Sequence, residues 1–295
     1  MPTHVKTFDL VGKKESVSEY ISLITPSDVP FLSSVKSEKI TSTLEQWQED
    51  QLRAVTKNTN LEGADAVDSN RDQPSMRQNG TQILEETFKV SGTSEAVKLY
   101  GRASVVARET MKTGKLLKMD MEHSLVGTGQ TYVVAAAATE GEFAGVQAQI
   151  AAGVTTTNVS TALTEDNIVD THELMYNEGS DAGILMVKPS DTKIISAFAQ
   201  ASGRTADVKN GDKKLTSVIN VYEGPFGTVR VVKNRRIRAT DALLYDPKNW
   251  KILTLRNWFR TKLAKTGDAD RWQVVGEFSL KHVNQLATGL ITGLS

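Results

Sequence analysis

The chain has no cysteine among its 295 residues. Disulfides, thiolate metal sites and cysteine nucleophiles are therefore excluded. It also has no net charge, with 35 Lys plus Arg against 35 Asp plus Glu. A protein that lives by gripping phosphates carries a basic excess, so tight nucleic-acid binding is not expected, while a weak apposition is compatible. No apolar run reaches the roughly 18 residues needed to span a bilayer. The start, Met1-Pro-Thr-His-Val-Lys-Thr-Phe8, lacks the apolar core of a secretory signal. No membrane partner is expected, and the first location expected is a cytoplasm. Aromatics make up 6% of the chain, against 39% hydrophobic and 24% charged residues overall, which is a globular composition. The length suggests about two lobes.

Catalytic patterns are equally scarce. The four histidines, His4, His123, His172 and His282, form no i,i+4 pair and no His-Glu-x-x-His. Without thiols a zinc site would need distant carboxylates. Gly127-Thr-Gly129 meets Tyr132 where a dinucleotide fingerprint needs its third glycine. Gly12-Lys13 and Gly114-Lys115 lack both the upstream glycine and the following Ser or Thr of a phosphate loop. No Gly-x-Ser-x-Gly elbow occurs. Glu62, Asp65 and Asp68 fail the EF-hand spacing and read as solvated loop charges. Glu85 and Glu86 are adjacent, so a strand turns them to opposite faces. The run Lys233-Asn-Arg-Arg-Ile-Arg238 is the strongest basic patch. It lacks interleaved aromatics and reads as an inter-subunit salt bridge or a solvated edge before a phosphate contact. No catalytic residue, metal or cofactor is expected.

What the chain does have is a long polar stretch, about Glu45 to Gly80, between segments that look ordered. Its larger apolar residues are few: Trp47, Leu52, Val55, Leu61, Val67 and Met76. A structureless loop of that length is improbable inside a compact domain. An arm that leaves the body and finds its partners on another copy fits better. Thr41 to Leu52 would be the outgoing limb. Ile83 to Val90, with period-two alternation of Leu84, Glu86, Phe88 and Val90, would be the return limb. Gly63, Asp65, Asp68, Asn70 and Pro74 between them are turn formers. An isolated hairpin is marginal in water, so this one needs a surface to lie on; the alternative is a disordered surface loop.

The remaining pattern is mixed. Residues 1–36 read as an arm with a short helix over Tyr20, Ile21, Leu23 and Ile24, anchored by Val29, Phe31 and Leu32, or equally as an ordinary terminal helix. About Arg102 to Val126 predicts a helix of about 25 residues, near 37 Å long. Val106, Thr110, Gly114, Leu117, Met121 and Leu125 form its apolar face, and charged residues including Lys118, Asp120 and Glu122 lie on the others. Ala135 to Ala138 could extend it. From Phe143 to Trp250 an α/β lobe is expected. It has a helix capped by Thr164, a strand over Gly183 to Val187, and a helix after Ser190 carrying Ile194, Ile195 and Phe198. A polar loop, Gly203 to Lys214, and a hairpin about Gly224-Pro-Phe-Gly227 follow. Leu243 to Tyr245 and Trp250 to Leu255 flank a second turn. Two longer strands, about Leu253 to Ala264 and Trp272 to His282, enclose a turn-rich tip, Lys265 to Asp270. The helix and these late strands would form one discontinuous layer with the lobe inserted between.

An ordered set of segments carries a family resemblance: Ser27-Asp-Val-Pro-Phe31, Gln46-Trp-Gln-Glu-Asp50, Glu62-Gly-Ala-Asp-Ala66, Thr81-Gln-Ile83, Val90-Ser-Gly-Thr93, Tyr100-Gly-Arg102, Leu263-Ala-Lys-Thr-Gly-Asp268 and Val275-Gly-Glu-Phe278. Across nearly its whole length the chain resembles the major capsid proteins of tailed bacteriophages, in a podophage-type subgroup. The resemblance implies an α+β chain with the tailed-phage capsid fold shared with encapsulins. The implied parts are an N-terminal arm (1–36), an extended loop (37–85), a peripheral domain with a spine helix (86–142 and 251–283) and an axial domain (143–250 and 284–295). It further implies hexamers and pentamers closing into an icosahedral head around double-stranded DNA held by weak contacts, assembled in a host cytoplasm. Portal, scaffolding and decoration proteins are the implied partners. Because the arm follows Met1 within about 20 residues, scaffolding is expected from a separate protein or from none. The assembly residues expected in the extended loop are Trp47, Glu49, Asp50, Arg53 and Lys57; at the peripheral tip they are Lys265, Gly267 and Asp268. Trp47 would be the main apolar anchor, with roughly 2–4 kcal/mol from burying its indole. An encapsulin-like compartment and a soluble α+β hydrolase are the alternative functions.

Overall fold

The computed structural model describes residues 25–66, 68, 71, 73–101, 103–201, 221–265 and 267–295. The helix expected over Tyr20 to Ile24 and the loop expected over Gly203 to Lys214 lie outside them.

Two sheets organise the chain. The first has four strands: β1 (Lys36–Lys39), β4 (Gln82–Ser91), β10 (Trp250–Lys262) and β11 (Ala269–His282), in the order β1-β10-β11-β4. β1 runs parallel to β10, and the other pairings are antiparallel. The second has six strands: β5 (Thr156–Asn158), β6 (Ile184–Val187), β7 (Val221–Gly224), β8 (Gly227–Lys233), β9 (Ala242–Tyr245) and β12 (Thr288–Thr292), in the order β5-β12-β9-β6-β8-β7. Each sheet contains strands from distant parts of the sequence. The two are joined where β9 ends in a 3-10 turn, Pro247–Asn249, capped by Asp246 through Lys248 N. Leu243 to Tyr245 and Trp250 to Leu255, which flank one turn in sequence, thus lie in different sheets.

The spine helix, α3, spans Val105–Val126, 22 residues. Ser104 caps it by accepting from Ala107 N at 3.2 Å. Glu95, from the short helix α2 (Gly92–Ala96), accepts from Ser104 Oγ and Val105 N at 2.7 and 3.0 Å. These bonds satisfy N–H groups that the first turn leaves free. The Ser104 bond, with help from the Val105 and Val106 N–H groups, holds the Glu95 carboxyl below its ordinary pKa. Gly127 ends the helix, its N–H bonded to His123 O at 2.7 Å. Ala135 to Ala138 do not extend it. That stretch is irregular, folded by isolated pairings of Val133 with Glu142 and Ala136 with Thr139. Gly127 and Gly129 account for the break, the latter at φ +66°.

Leu117, Met121, Leu125 and Val126 of α3 pack against Leu84, Val274, Phe278 and Leu280 of the four-stranded sheet. Phe31, on the short helix α1 (Pro30–Ser34), completes this core against Tyr245 and Trp250, with ring centroids 5.3 and 5.9 Å away. A second core lies under the six-stranded sheet, where α4 (Glu165–Asn177) and α5 (Asp191–Ala201) bring Ile168, Met175 and Ile195 against Leu185, Val187 and Leu244. Thr164 and Asn167 form a reciprocal capping box on α4. Between the sheets, His282 stacks on Trp250 at 3.8 Å. Its Nε2 lies 3.0 Å from Thr288 Oγ1, which accepts from Trp250 Nε1. The threonine proton then points to Nε2 and places the imidazole proton on Nδ1, facing Gln149 O. Burial pushes this histidine's pKa down to about 3.

Candidate functional site, an assembly surface

The polar ribbon leaves the body as a two-stranded hairpin, β2 (Leu44–Glu49) paired with β3 (Ser75–Gly80) from Leu44↔Gly80 to Glu49↔Ser75. The return limb is therefore not Ile83 to Val90. That segment is β4, paired with β11 inside the four-stranded sheet. Its apolar alternation marks a strand with a buried face, and Leu84 and Val90 are buried there. The true return limb, Ser-Met-Arg-Gln-Asn-Gly, has no such alternation because most of it buries nothing.

The foot of the hairpin is fixed by Asn79, which is fully buried. Its Oδ1 accepts from Ala144 N at 2.8 Å, and its Nδ2 donates to Leu280 O at 2.6 Å and to Ala144 O at 3.2 Å. This one amide meets three backbone groups, and Gln149 Nε2 also donates to the two carbonyls, at 2.8 Å to Ala144 O and 3.2 Å to Leu280 O. Gly80 allows the close approach, since a Cβ there would collide with the Tyr132 ring. Trp47 is half-buried on its own protomer, with Lys281 Nζ 5.4 Å from the ring centroid. Lys281 also pairs with Glu45 at 3.8 Å. Glu49 pairs with Arg77 across the hairpin at 3.3 Å.

Beyond Glu49 the ribbon changes character. Residues 50–66 carry no helix or strand, and every one of them is exposed. Leu52, Val55 and Leu61 are 98%, 99% and 84% exposed. Asp50 and Lys57 are exposed, and Arg53 donates to Ala54 O and Thr56 Oγ1 close by in the chain. Gly63, at φ +79°, makes a turn with Ala64 N bonded to Leu61 O. Each of the three apolar side chains would gain about 1.5–3 kcal/mol on full burial.

The second set of expected residues lies at the other end of β11. Lys265 and Asp268 are exposed and 3.8 Å apart, with Gly267 between them at φ +85°. Asp268 O accepts from Gly92 N, which ties the tip to α2. Lys262 bonds Asp270 at 2.8 Å and holds its carboxyl below the ordinary range. From Ala269 to Leu280 the strand rises about 36 Å at 3.3 Å per residue. Ribbon and tip are thus presented at opposite ends of one sheet and do not form a single cleft.

The basic run has a role not expected from its sequence. Arg235 pairs with Asp28 at 2.9 Å, and Arg236 donates to Asp28 O and Pro26 O at 2.7 and 3.1 Å. Glu122, expected on a polar face of the spine helix, is fully buried. It accepts from Phe31 N and Leu32 N, both at 2.8 Å, and from Asn234 Nδ2 at 2.7 Å. Neither Glu122 nor Asn79 had a signal in spacing, because each is buried by a segment distant in sequence.

The profile described as SU10 major capsid protein matches residues 4–295. The major capsid protein of Escherichia phage Phieco32 is 26% identical, the alignment covering 98% of this chain and 97% of that protein. Among solved structures, the Cyanophage A-1(L) capsid subunit superposes with a TM-score of 0.70 at 12% identity, covering 98% of each chain. The capsid of a native GTA particle gives 0.68 at 11% identity over the full length of both chains. The SrpI encapsulin of Synechococcus elongatus PCC 7942 gives 0.66 at 10% identity, covering 100% of this chain and 97% of that one. An extended hairpin, a long helix under a discontinuous four-stranded sheet and an inserted second sheet are the tailed-phage capsid fold, and this chain belongs to the SU10 major capsid protein family as a structural subunit of a phage head.

Proposed function

We propose that this subunit forms hexamers and pentamers that close into an icosahedral shell around double-stranded DNA, and that the ribbon is the latch between subunits. The supporting observation is the contrast within the hairpin: a foot tied to its own body and a tip whose described apolar residues, Leu52, Val55 and Leu61, stand almost wholly exposed. Leu52, Val55 and Leu61 become the principal anchors on a neighbour. Trp47 is already half-covered at home, so it stiffens the ribbon and presents only its remaining face. Glu49, Asp50, Arg53 and Lys57 surround the anchors with polar contacts, and Lys265, Gly267 and Asp268 form a second contact at the far end of β11.

In this reading the four-stranded sheet with the spine helix is the peripheral domain, and the six-stranded sheet is the axial domain. Each contact can be weak because every subunit touches several neighbours. The subunit has no catalytic role and meets a portal, a scaffolding protein and DNA, with a decoration protein as a further partner, during assembly in a host cytoplasm. The encapsulin relative shares the fold, but the family match favours a phage head. Light scattering and negative-stain microscopy of the purified chain test the proposal. Oligomers or closed shells are expected, and a strict monomer at high concentration would contradict it.

A further inference from the structure

The segment before β1 is held by a clamp that the shell function does not require. Arg236 grips the carbonyls of Pro26 and Asp28. Glu122 grips the N–H groups of Phe31 and Leu32. Asn234 joins the two grips, donating to Glu122 at 2.7 Å and accepting from Arg236 N at 2.8 Å. A carboxylate and a guanidinium thus hold one backbone between them.

Glu122 makes no ion pair among the described residues. Three neutral donors meet it in a fully buried place, and the Arg236 guanidinium is turned to the segment's carbonyls. The groups facing it are few. From the segment come the two backbone N–H groups. From the loop after β8 come Asn234 and the charge of Arg236, and from β6 Met186, whose sulfur lies 3.3 Å from Asn234 Nδ2. From β9 comes Tyr245, whose hydroxyl is paired with Ser34 Oγ at 3.1 Å and feels the charges of both Glu122 and Arg230 of β8. On its own helix, Lys118 and His123 are exposed.

We propose that Glu122 makes the docking of residues 26–34 depend on pH, tighter in mild acid and looser at neutral pH, so that the segment is a releasable strap on the spine helix. The physical reason is that docking strips water from a charge without giving it a countercharge. Lifting the strap rehydrates the carboxylate, so ionisation favours the lifted form. Burial raises the Glu122 pKa above the ordinary 4.5, against the opposing pull of the Leu32, Phe31 and Asn234 bonds and of Arg236. By linkage, the stabilisation from a protonated Glu122 is complete below the ordinary value and is lost as pH rises through the raised one. Core opening has the opposite slope. His282 is held neutral by burial, so the folded body loses stability as pH falls from 6.5 toward about 3.

Hydrogen exchange of the full-length subunit, corrected for intrinsic rates and followed between about pH 4.5 and pH 7.5, separates the two. Protection of the Phe31 and Leu32 amides is expected to fall several-fold as pH rises, while β11 amides show no such loss. Glu122→Gln should flatten the slope. Asn234→Ala removes a donor that steadies the anion and should move the slope to higher pH, which covers the case of a Gln variant that fails to fold. A flat or inverted wild-type slope, a slope retained in Glu122→Gln, or one unmoved in Asn234→Ala would overturn the proposal.

Discussion

The foot and the tip of the hairpin belong to one ribbon, yet they solve opposite problems. At the foot, Asn79 satisfies three backbone groups of its own protomer, and Trp47 lies under Lys281. At the tip, Leu52 and Val55 stand almost wholly in water. An apolar side chain at the end of an extended segment contributes nothing to the fold of one subunit. In the proposed assembly, the foot fixes where the ribbon points, and the tip carries the free energy that a neighbour can release. This division separates folding from assembly within about 35 residues, and substitutions can break it from either side.

The largest expected effect is on assembly. Deleting residues 53–71 and closing the gap with a short flexible linker should abolish shells in negative-stain images while leaving the circular dichroism of the subunit close to wild type. At the foot, Asn79→Ala leaves the Ala144 N–H without its partner and the Ala144 and Leu280 carbonyls to Gln149 Nε2 alone. It should cost about 1–3 kcal/mol in urea unfolding of the unassembled subunit. Trp47→Ala removes a half-buried indole and should cost about 1–2 kcal/mol in the same measurement. Foot and body should also share a pH dependence through His282, which lies beside both Trp250 and Gln149. The thermal midpoint of the subunit should fall progressively as pH drops below 6.5, the window set by a histidine held down to about 3. The smallest effect on stability belongs to the tip. Combined Leu52→Ser, Val55→Ser and Leu61→Ser should change unfolding by less than about 0.5 kcal/mol, and should still lower shell yield sharply by light scattering.

Legibility in the sequence followed burial by near neighbours. The spine helix, the long strands β10 and β11, the Thr164 cap and the Gly224 to Gly227 hairpin are all written in local periodicity or turn chemistry. The exposed ribbon was visible as a lack of apolar residues. Its return limb is hidden because period-two alternation reports a half-buried strand, and β4 is one, whereas Ser75 to Gly80 pairs in the open. Glu122 read as a surface charge because the helix pattern assumes one buried face. Residues 31, 32 and 234 cover a second face, and no local pattern announces them. The arginines of the basic run read as an edge for the same reason, since Pro26 and Asp28 lie about 200 residues away.

Because the chain has no cysteine, a single Val55→Cys substitution supplies a unique thiol at the ribbon tip. Its maleimide labelling rate in dissociated subunits and in assembled particles addresses the role of the ribbon most directly. Fast labelling in the subunit and strong protection in the particle are expected. Equal rates in both would mean that the tip remains in water after assembly, and that sibling subunits do not hold it.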